Sequence, residues 1–306
     1  MLITEFNNGE LAGEGARIMT ETHRLMALLQ FYEIVGNADS LRKTSGATGG
    51  TNRAINNNFT GQVVDPSFAN PTLRIFGDEV KVDQAHERRG QDIVSVRTRD
   101  FQKFMRRMTI NFLKQVLEGT GSAPQITGLK NLVTTAGKFY ADSSSSALTL
   151  QLGNTSSIKA AHGAFKEKLQ QGIQKVDRGA QGIIIPTPIH HRVSTILDDE
   201  VNYTRNEAGQ LIATWNGVEL IPAGYDNDGN SMITAEQPGT ITTDTFPIYF
   251  ARFGEAEDVT VATSNGLNVT DKGLVESQYI HNVELDSEPA LENDKALAKL
   301  EGVAVA

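Results

Sequence analysis

The chain has 306 residues, 39% of them hydrophobic, which is enough for a real core in one elongated or two compact domains. With 37 acidic against 28 basic residues its net charge is −9, so overall charge disfavours wrapping nucleic acid, although a local basic face stays open. There is no cysteine, which excludes disulfides, thiolate metal sites and cysteine nucleophiles and fits a reducing interior. The opening MLITEFNNGELAGEG is too polar and acidic for a signal peptide, and no window approaches the roughly 20 apolar residues of a membrane span, so a soluble chain, mature at Met1, is expected.

Ile18, Leu25, Leu28, Leu29, Tyr32 and Val35 recur at helical spacing and predict an amphipathic helix over residues 16–36, ended by Gly36. The following stretch from Thr44 to Gly61, TSGATGGTNRAINNNFTG, has four glycines, four asparagines and no acidic residue. It holds too few apolar groups to order itself and reads as a long exposed loop or a disordered linker. In PTLRIFGDEVKVDQ, Leu73 and Ile75 and then Val80 and Val82 alternate on either side of Gly77 and Asp78, which predicts strands.

A long helix is predicted from about Asp92 to Glu118, stopped by Gly119-Thr120-Gly121. At about 100° per residue, Phe101, Met105, Met108 and Phe112 share one face, while Arg99, Lys103, Arg106, Arg107 and Lys114 lie opposite. Further on, Ile158, Ala161, Phe165, Leu169 and Ile173 mark a second helix, GIIIP at 182–186 a buried strand, and Thr187-Pro188 the start of a third helix, capped by Thr187 and burying Ile189, Val193, Ile196 and Leu197. Strands return at NGVELIPAG, PIYFARFG, DVTVATS and LVESQYIHNVEL. The mixture is α+β, without internal repeats or a regular βα succession.

The motifs with a clear catalytic mechanism are missing: no phosphate loop, no nucleophile elbow and no His-Glu-x-x-His helix occurs. His190 and His191 are sequence neighbours and point about 100° apart on a helix, so they cap or pack and do not share a metal. Asp226-Asn227-Asp228-Gly229-Asn230 has a calcium-loop flavour but lacks carboxylates at the required positions, and is expected to form a tight turn. From Lys81 to Lys114 nine basic residues face four acids (Asp83, Glu87, Asp92, Asp100), giving +5 against −14 for the rest of the chain. That stretch is either a solvated or salt-bridged helix face or a nonspecific contact for nucleic-acid phosphates. The late acids Glu284, Asp286, Glu288, Glu292 and Asp294 read as a solvated complement.

LRIFGDEVKVDQ, the helix end FLKQVLEGTG, the following PQITGLKNL, PIYFARFG and the terminal ALENDKALAKLEGV stand in an order and spacing that resembles the major capsid protein of tailed bacteriophages, of the HK97-like fold. The resemblance covers nearly the whole chain. It implies an α+β protein with an N-terminal arm (1–37), an E-loop hairpin (38–73), a P-domain with a long spine helix (74–126), an A-domain (127–265), and P-domain strands returning through the C-terminus (266–306). It implies a structural, non-enzymatic role: self-assembly as pentamers and hexamers into an icosahedral head that encloses double-stranded DNA, put together in the bacterial host cytoplasm and present in the virion. The implied partners are further copies of the chain, a separate scaffolding protein, a portal, a decoration protein in some members, and packaged DNA held nonspecifically, with no membrane. No fused scaffold is expected ahead of the arm.

Intersubunit contacts are assigned to Arg42, Lys43 and Arg53 on the E-loop and to Arg99, Lys103, Arg106 and Arg107 on the spine face, with no catalytic, cofactor-binding or metal residue. Lys43 is the one lysine beside the E-loop that the crosslinking chemistry of some members could use. An encapsulin-like nanocompartment shell, which shares the fold, is the alternative; an uncharacterised hydrolase and a tail or decoration protein are more distant ones.

Overall fold

A computed structural model of the chain describes residues 10–35, 41–42, 68–69, 71–205, 211–255 and 257–305. The first helix, α1 (Glu10–Thr22), stops where His23 leaves helical geometry and its Nδ1 accepts the Leu25 N–H at 3.1 Å, starting the short α2 (Arg24–Leu28). The chain then extends into β1 (Phe31–Glu33), which runs parallel to Val261–Thr263. The predicted helix over 16–36 is therefore corrected: it begins earlier, breaks at His23 and gives way to a strand. Phe31 and Ile34 are buried by strand packing while Val35 is exposed, so an apolar spacing that continues the helical period belongs here to another element.

A two-residue pair, β2 (Leu41–Arg42) and β3 (Phe68–Ala69), lies antiparallel. The loop expected at 44–61 falls outside the described residues. β4 (Arg74–Asp83) is one uninterrupted strand, paired along its length with residues 278–287. Gly77 and Asp78 do not turn the chain. A side chain at Gly77 would collide with the Val283 carbonyl, so this glycine marks a close approach of two strands. After α3 (Ala85–Arg88) comes α4 (Ile93–Glu118), 26 residues long. The Asp92 carboxylate caps it, accepting from the Val94 N–H at 3.1 Å and the Ser95 hydroxyl at 2.5 Å, and Gly119 closes its far end.

Beyond α5 (Leu129–Leu132), β5 (Lys138–Tyr140) and β6 (Leu148–Leu150), the second long helix α6 (Ser156–Lys175) buries Phe165, Leu169 and Ile173 as the spacing predicts. β7 (Gly182–Ile185) is buried throughout. α7 (Thr187–Leu197) buries the four expected residues, but Pro186 occupies its cap position and Thr187 is already helical. The Thr187 hydroxyl instead donates to the Gly224 carbonyl at 2.7 Å, so the expected Thr187 cap is not formed. β8 (Val201–Arg205), β9 (Leu211–Trp215), β10 (Val218–Pro222) and β11 (Ile248–Ala251) follow. The chain then makes a long antiparallel pair, β12 (Val259–Val275) and β13 (Gln278–Leu291), and ends in β14 (Leu297–Glu301) and β15 (Val303–Val305).

Two sheets organise these elements. A four-stranded sheet has the order β1-β12-β13-β4, and a mixed seven-stranded sheet the order β5-β14-β11-β7-β10-β9-β8; β15 pairs with β6 beside the second. One core packs α1, α2 and the inner face of α4 on the four-stranded sheet and reaches Ile184, Ile221 and Tyr249 of the other. A second core sits between α6, α7 and the seven-stranded sheet. Residues 252–258 and 292–296 carry the chain from one sheet to the other and back.

Candidate assembly surface

The spine of the surface is α4. Val96, Phe101, Met105, Met108, Phe112, Leu113, Val116 and Leu117 are buried along it, and Arg99, Lys103, Arg106 and Arg107 all stand in solvent on the other side. A 3.6-residue period with this contrast leaves the cations no inward option, because an unpaired charge is not taken into an apolar core. Asp100 draws on two of them, Arg99 at 3.5 Å and Lys103 at 3.9 Å. Arg106 and Arg107 make no ion pair among the described residues. Lys114, placed on the same face by the sequence, is drawn aside to Asp226 at 2.6 Å.

Asp226 opens the predicted tight turn. Its Oδ1 accepts the N–H groups of Asp228 and Asn230, and its backbone closes on Asn230 and Gly229. The carboxyl is held below its ordinary value, first by Lys114 and then by these amides. Asn227 at the tip reaches the Arg107 carbonyl at 3.0 Å and Asn111 at 2.8 Å, which fastens the turn to the spine. His190 is half-buried, which lowers its pKa, and His191 is exposed.

Ion pairs not visible in the sequence pattern tie these elements to one another. Arg74 donates to Glu288 at 2.6 Å and to the Gly121 carbonyl, while the other Glu288 oxygen accepts from the Thr127 hydroxyl and N–H. Near the tip of the β12–β13 pair, Arg97 donates to Asp271 at 2.6 Å and to His281 Nε2 at 3.0 Å, and lies over the Tyr279 ring. Burial keeps His281 below its usual pKa, with Arg97 acting in the same sense and Asp271 opposing, so the ring is a neutral acceptor. In the seven-stranded sheet the buried Lys299 is matched by Glu236 at 2.7 Å and Glu301 at 2.9 Å.

These pairs correct the reading of the late acids as a solvated run. Glu288 on β13 and Glu292 just beyond it are 4% and 2% exposed.

The outer strands of both sheets expose some apolar side chains. β4 is the outer strand of the four-stranded sheet and exposes Ile75, with Leu274 and Val275 exposed at the far end by the β12–β13 turn. β8 is the outer strand of the other sheet, and Tyr203 and the adjacent Leu211 are more than half exposed. Long free edges with apolar side chains are surfaces that pair with another chain. Of the sequence-assigned contacts, Arg99, Lys103, Arg106 and Arg107 come together on one exposed face. Arg42 lies in the β2–β3 pair, away from that face in sequence, and Lys43 and Arg53 are outside the described residues. Among the described residues no group of three or more His, Asp or Glu side chains could hold a metal, and no helix is long and apolar enough to cross a membrane.

No protein-family model and no curated protein sequence matches the chain. Solved structures do, over nearly its whole length. The SrpI encapsulin of Synechococcus elongatus, in its holo complex, superposes with a TM-score of 0.61 at 16% identity, covering 94% of this chain and 89% of the other. The capsid protein of a native GTA particle gives 0.56 at 12% identity, over 92% and 91%. That of the satellite phage P4 procapsid gives 0.52 at 7% identity, over 94% and 98%. The fold is thus the α+β HK97-like fold found in phage capsids and in an encapsulin.

Proposed function

We propose that the chain is a structural shell protein, the major capsid protein of a tailed phage, which assembles through pentamers and hexamers into an icosahedral head around double-stranded DNA. The observation that carries this reading is the shared fold, matched over nine-tenths of this chain and of capsid proteins that include those of a GTA particle and a phage P4 procapsid. The outer strands β4 and β8, and Arg106 and Arg107, which make no ion pair among the described residues, are the surfaces such a subunit would bring to its neighbours. In this reading residues 1–37 are the arm, 38–73 the E-loop laid on an adjacent subunit, and 74–126 the P-domain with the spine. Residues 127–265 are the A-domain and 266–306 the returning P-domain strands and C-terminus, of which β14 joins the seven-stranded sheet and β15 pairs with β6. Arg42, Lys43, Arg53, Arg99, Lys103, Arg106 and Arg107 contact neighbouring subunits, and DNA meets the lining only weakly. A separate scaffold, a portal and host-cytoplasm assembly belong to the same reading, and no catalytic role is assigned.

One observation favours a second reading, a nanocompartment shell: the encapsulin superposes at 0.61, above the 0.56 of the GTA capsid. Sedimentation velocity of the chain expressed alone and with a scaffolding protein from the same gene neighbourhood separates the two. A capsid protein gives capsomers or irregular shells alone and uniform shells with the scaffold. Uniform closed shells from the chain alone favour the nanocompartment, and a monomer in both cases refutes both.

A further inference from the structure

Two of the connections between the sheets, residues 252–258 and 292–296, share one ionic cluster around the buried Asp258. Asp258, at the end of residues 252–258, accepts Arg178 Nη2 at 2.9 Å and Arg252 Nε at 3.1 Å, and the Asn293 amide at 3.5 Å. The second connector is tied to the same place: the Glu292 N–H donates to the Asp258 carbonyl, the Arg252 N–H to the Ala296 carbonyl, and the Asp177 N–H to the Lys295 carbonyl. Asn293 also donates to the Asp177 carboxylate at 3.1 Å. Arg178, which stands at a positive φ of 60° after α6, additionally holds Glu257 at 3.0 Å. Every contact so far is paired.

Glu292 is the exception. It is 2% exposed, and its Oε1 is buried without a hydrogen-bond partner. Two arginines already serve Asp258 and Glu257, so a second buried negative charge has no cation to meet.

We propose that Glu292 is a proton-operated latch on these two connectors: with its proton, they close around Asp258; without it, they part. The charged groups of the cluster and its connectors are Arg252, Glu255, Glu257 and Asp258 on the first, Asp177 and Arg178 after α6, and Asp294 and Lys295 on the second, and of these Asp258 and Glu257 act on Glu292. Burial, then Asp258, then Glu257 raise the Glu292 carboxyl from 4.5 to about 7, in agreement with that geometry. In the opened connector the carboxyl returns to water and to its ordinary value. Opening is therefore favoured about tenfold for each pH unit from about 4.5 to about 7, and levels off above. In a shell subunit, the reading on which the biological use of the latch rests, such a latch would let acidity set how firmly the two connectors hold together.

The test is hydrogen exchange at the amides of Arg252, Glu292 and Ala296 in the isolated chain, corrected for intrinsic rates, at about pH 5 and about pH 7.5. The wild type is expected to open about a hundredfold more readily at the higher pH, while Glu292→Gln, which keeps the uncharged form, stays flat. Glu257→Gln, at an exposed position, removes one of the charges that raise Glu292 and moves the wild-type profile to lower pH. A wild type as flat as Glu292→Gln overturns the latch, as does an unmoved Glu257→Gln profile if the Glu292→Gln variant does not fold. Since no particle is needed, a chain that never assembles can still show the latch, and a flat profile leaves the shell reading untouched.

Discussion

Phe112 is the position where the spine helix can be tested most sharply. It is fully buried in the core below α4, and its ring meets Phe76 of β4 at 5.6 Å between centroids with the planes inclined by 51°. Truncating a buried Phe to Ala costs about 3–5 kcal/mol through lost transfer energy and the cavity left behind. Loss of a tilted aromatic pair is worth about 0.5–1.5 kcal/mol of the same total. Phe112→Ala should therefore lower the unfolding free energy of the isolated subunit by about 4 kcal/mol, read from the urea midpoint at unchanged slope, and should abolish assembly. Arg106→Gln on the opposite face is the control and should stay within about 0.5 kcal/mol of wild type. A Phe112→Ala protein that loses less than about 1 kcal/mol would refute the helical phase on which the whole surface is built.

Other outcomes follow from the same contacts. Glu288→Ala strands Arg74 in a nearly closed site and should cost about 3 kcal/mol in denaturant unfolding, with the Arg74→Met/Glu288→Leu pair regaining most of it. Gly77→Ala drives a methyl group into the Val283 carbonyl and should cost about 3 kcal/mol in the same assay, whereas Gly90→Ala meets no neighbouring atom and should show only the strain of its positive φ. Glu292 is neutral when folded and ionised when unfolded between about 4.5 and about 7, so its share of stability is present below 4.5 and lost as pH rises through 7. Glu292→Gln should then raise stability at pH 7.5 by at most about 3 kcal/mol and change nothing near pH 4. Replacing Arg106 and Arg107 together with Gln should lower the yield of particles while those that form still fill with DNA; normal numbers of wholly empty shells would instead make genome contact the main role of that face.

The long helices were legible because their signal is periodic and local. Phe101 to Phe112 repeat at three- and four-residue steps beneath an Asp cap and above a Gly stop, and nothing distant is needed to place them. Residues 16–36 misled for the same reason. Tyr32 and Val35 continue the helical spacing, but the His23 cap and the parallel pairing of Phe31–Glu33 with β12, more than two hundred residues away, override it. Gly77-Asp78 has turn chemistry, and only the approach of β13 shows that the glycine is needed for space.

The late acids show where composition stops helping. Glu288 and Glu292 look alike in the sequence, yet one is satisfied by Arg74 and Thr127 and the other has a bare oxygen among carboxylates. Charge counts record neither partner. The cationic face of α4 could be read, since exposed cations opposite a buried stripe need no knowledge of the rest of the fold, but the loss of Lys114 to Asp226 could not.

The central claim is that this 33.2 kDa chain builds a closed shell. Negative-stain electron microscopy of the purified protein, alone and with a scaffolding protein from its gene neighbourhood, tests it directly. The account predicts curved or closed particles whose walls resolve into rings of five and six subunits, and a field of separate monomers under both conditions would contradict it.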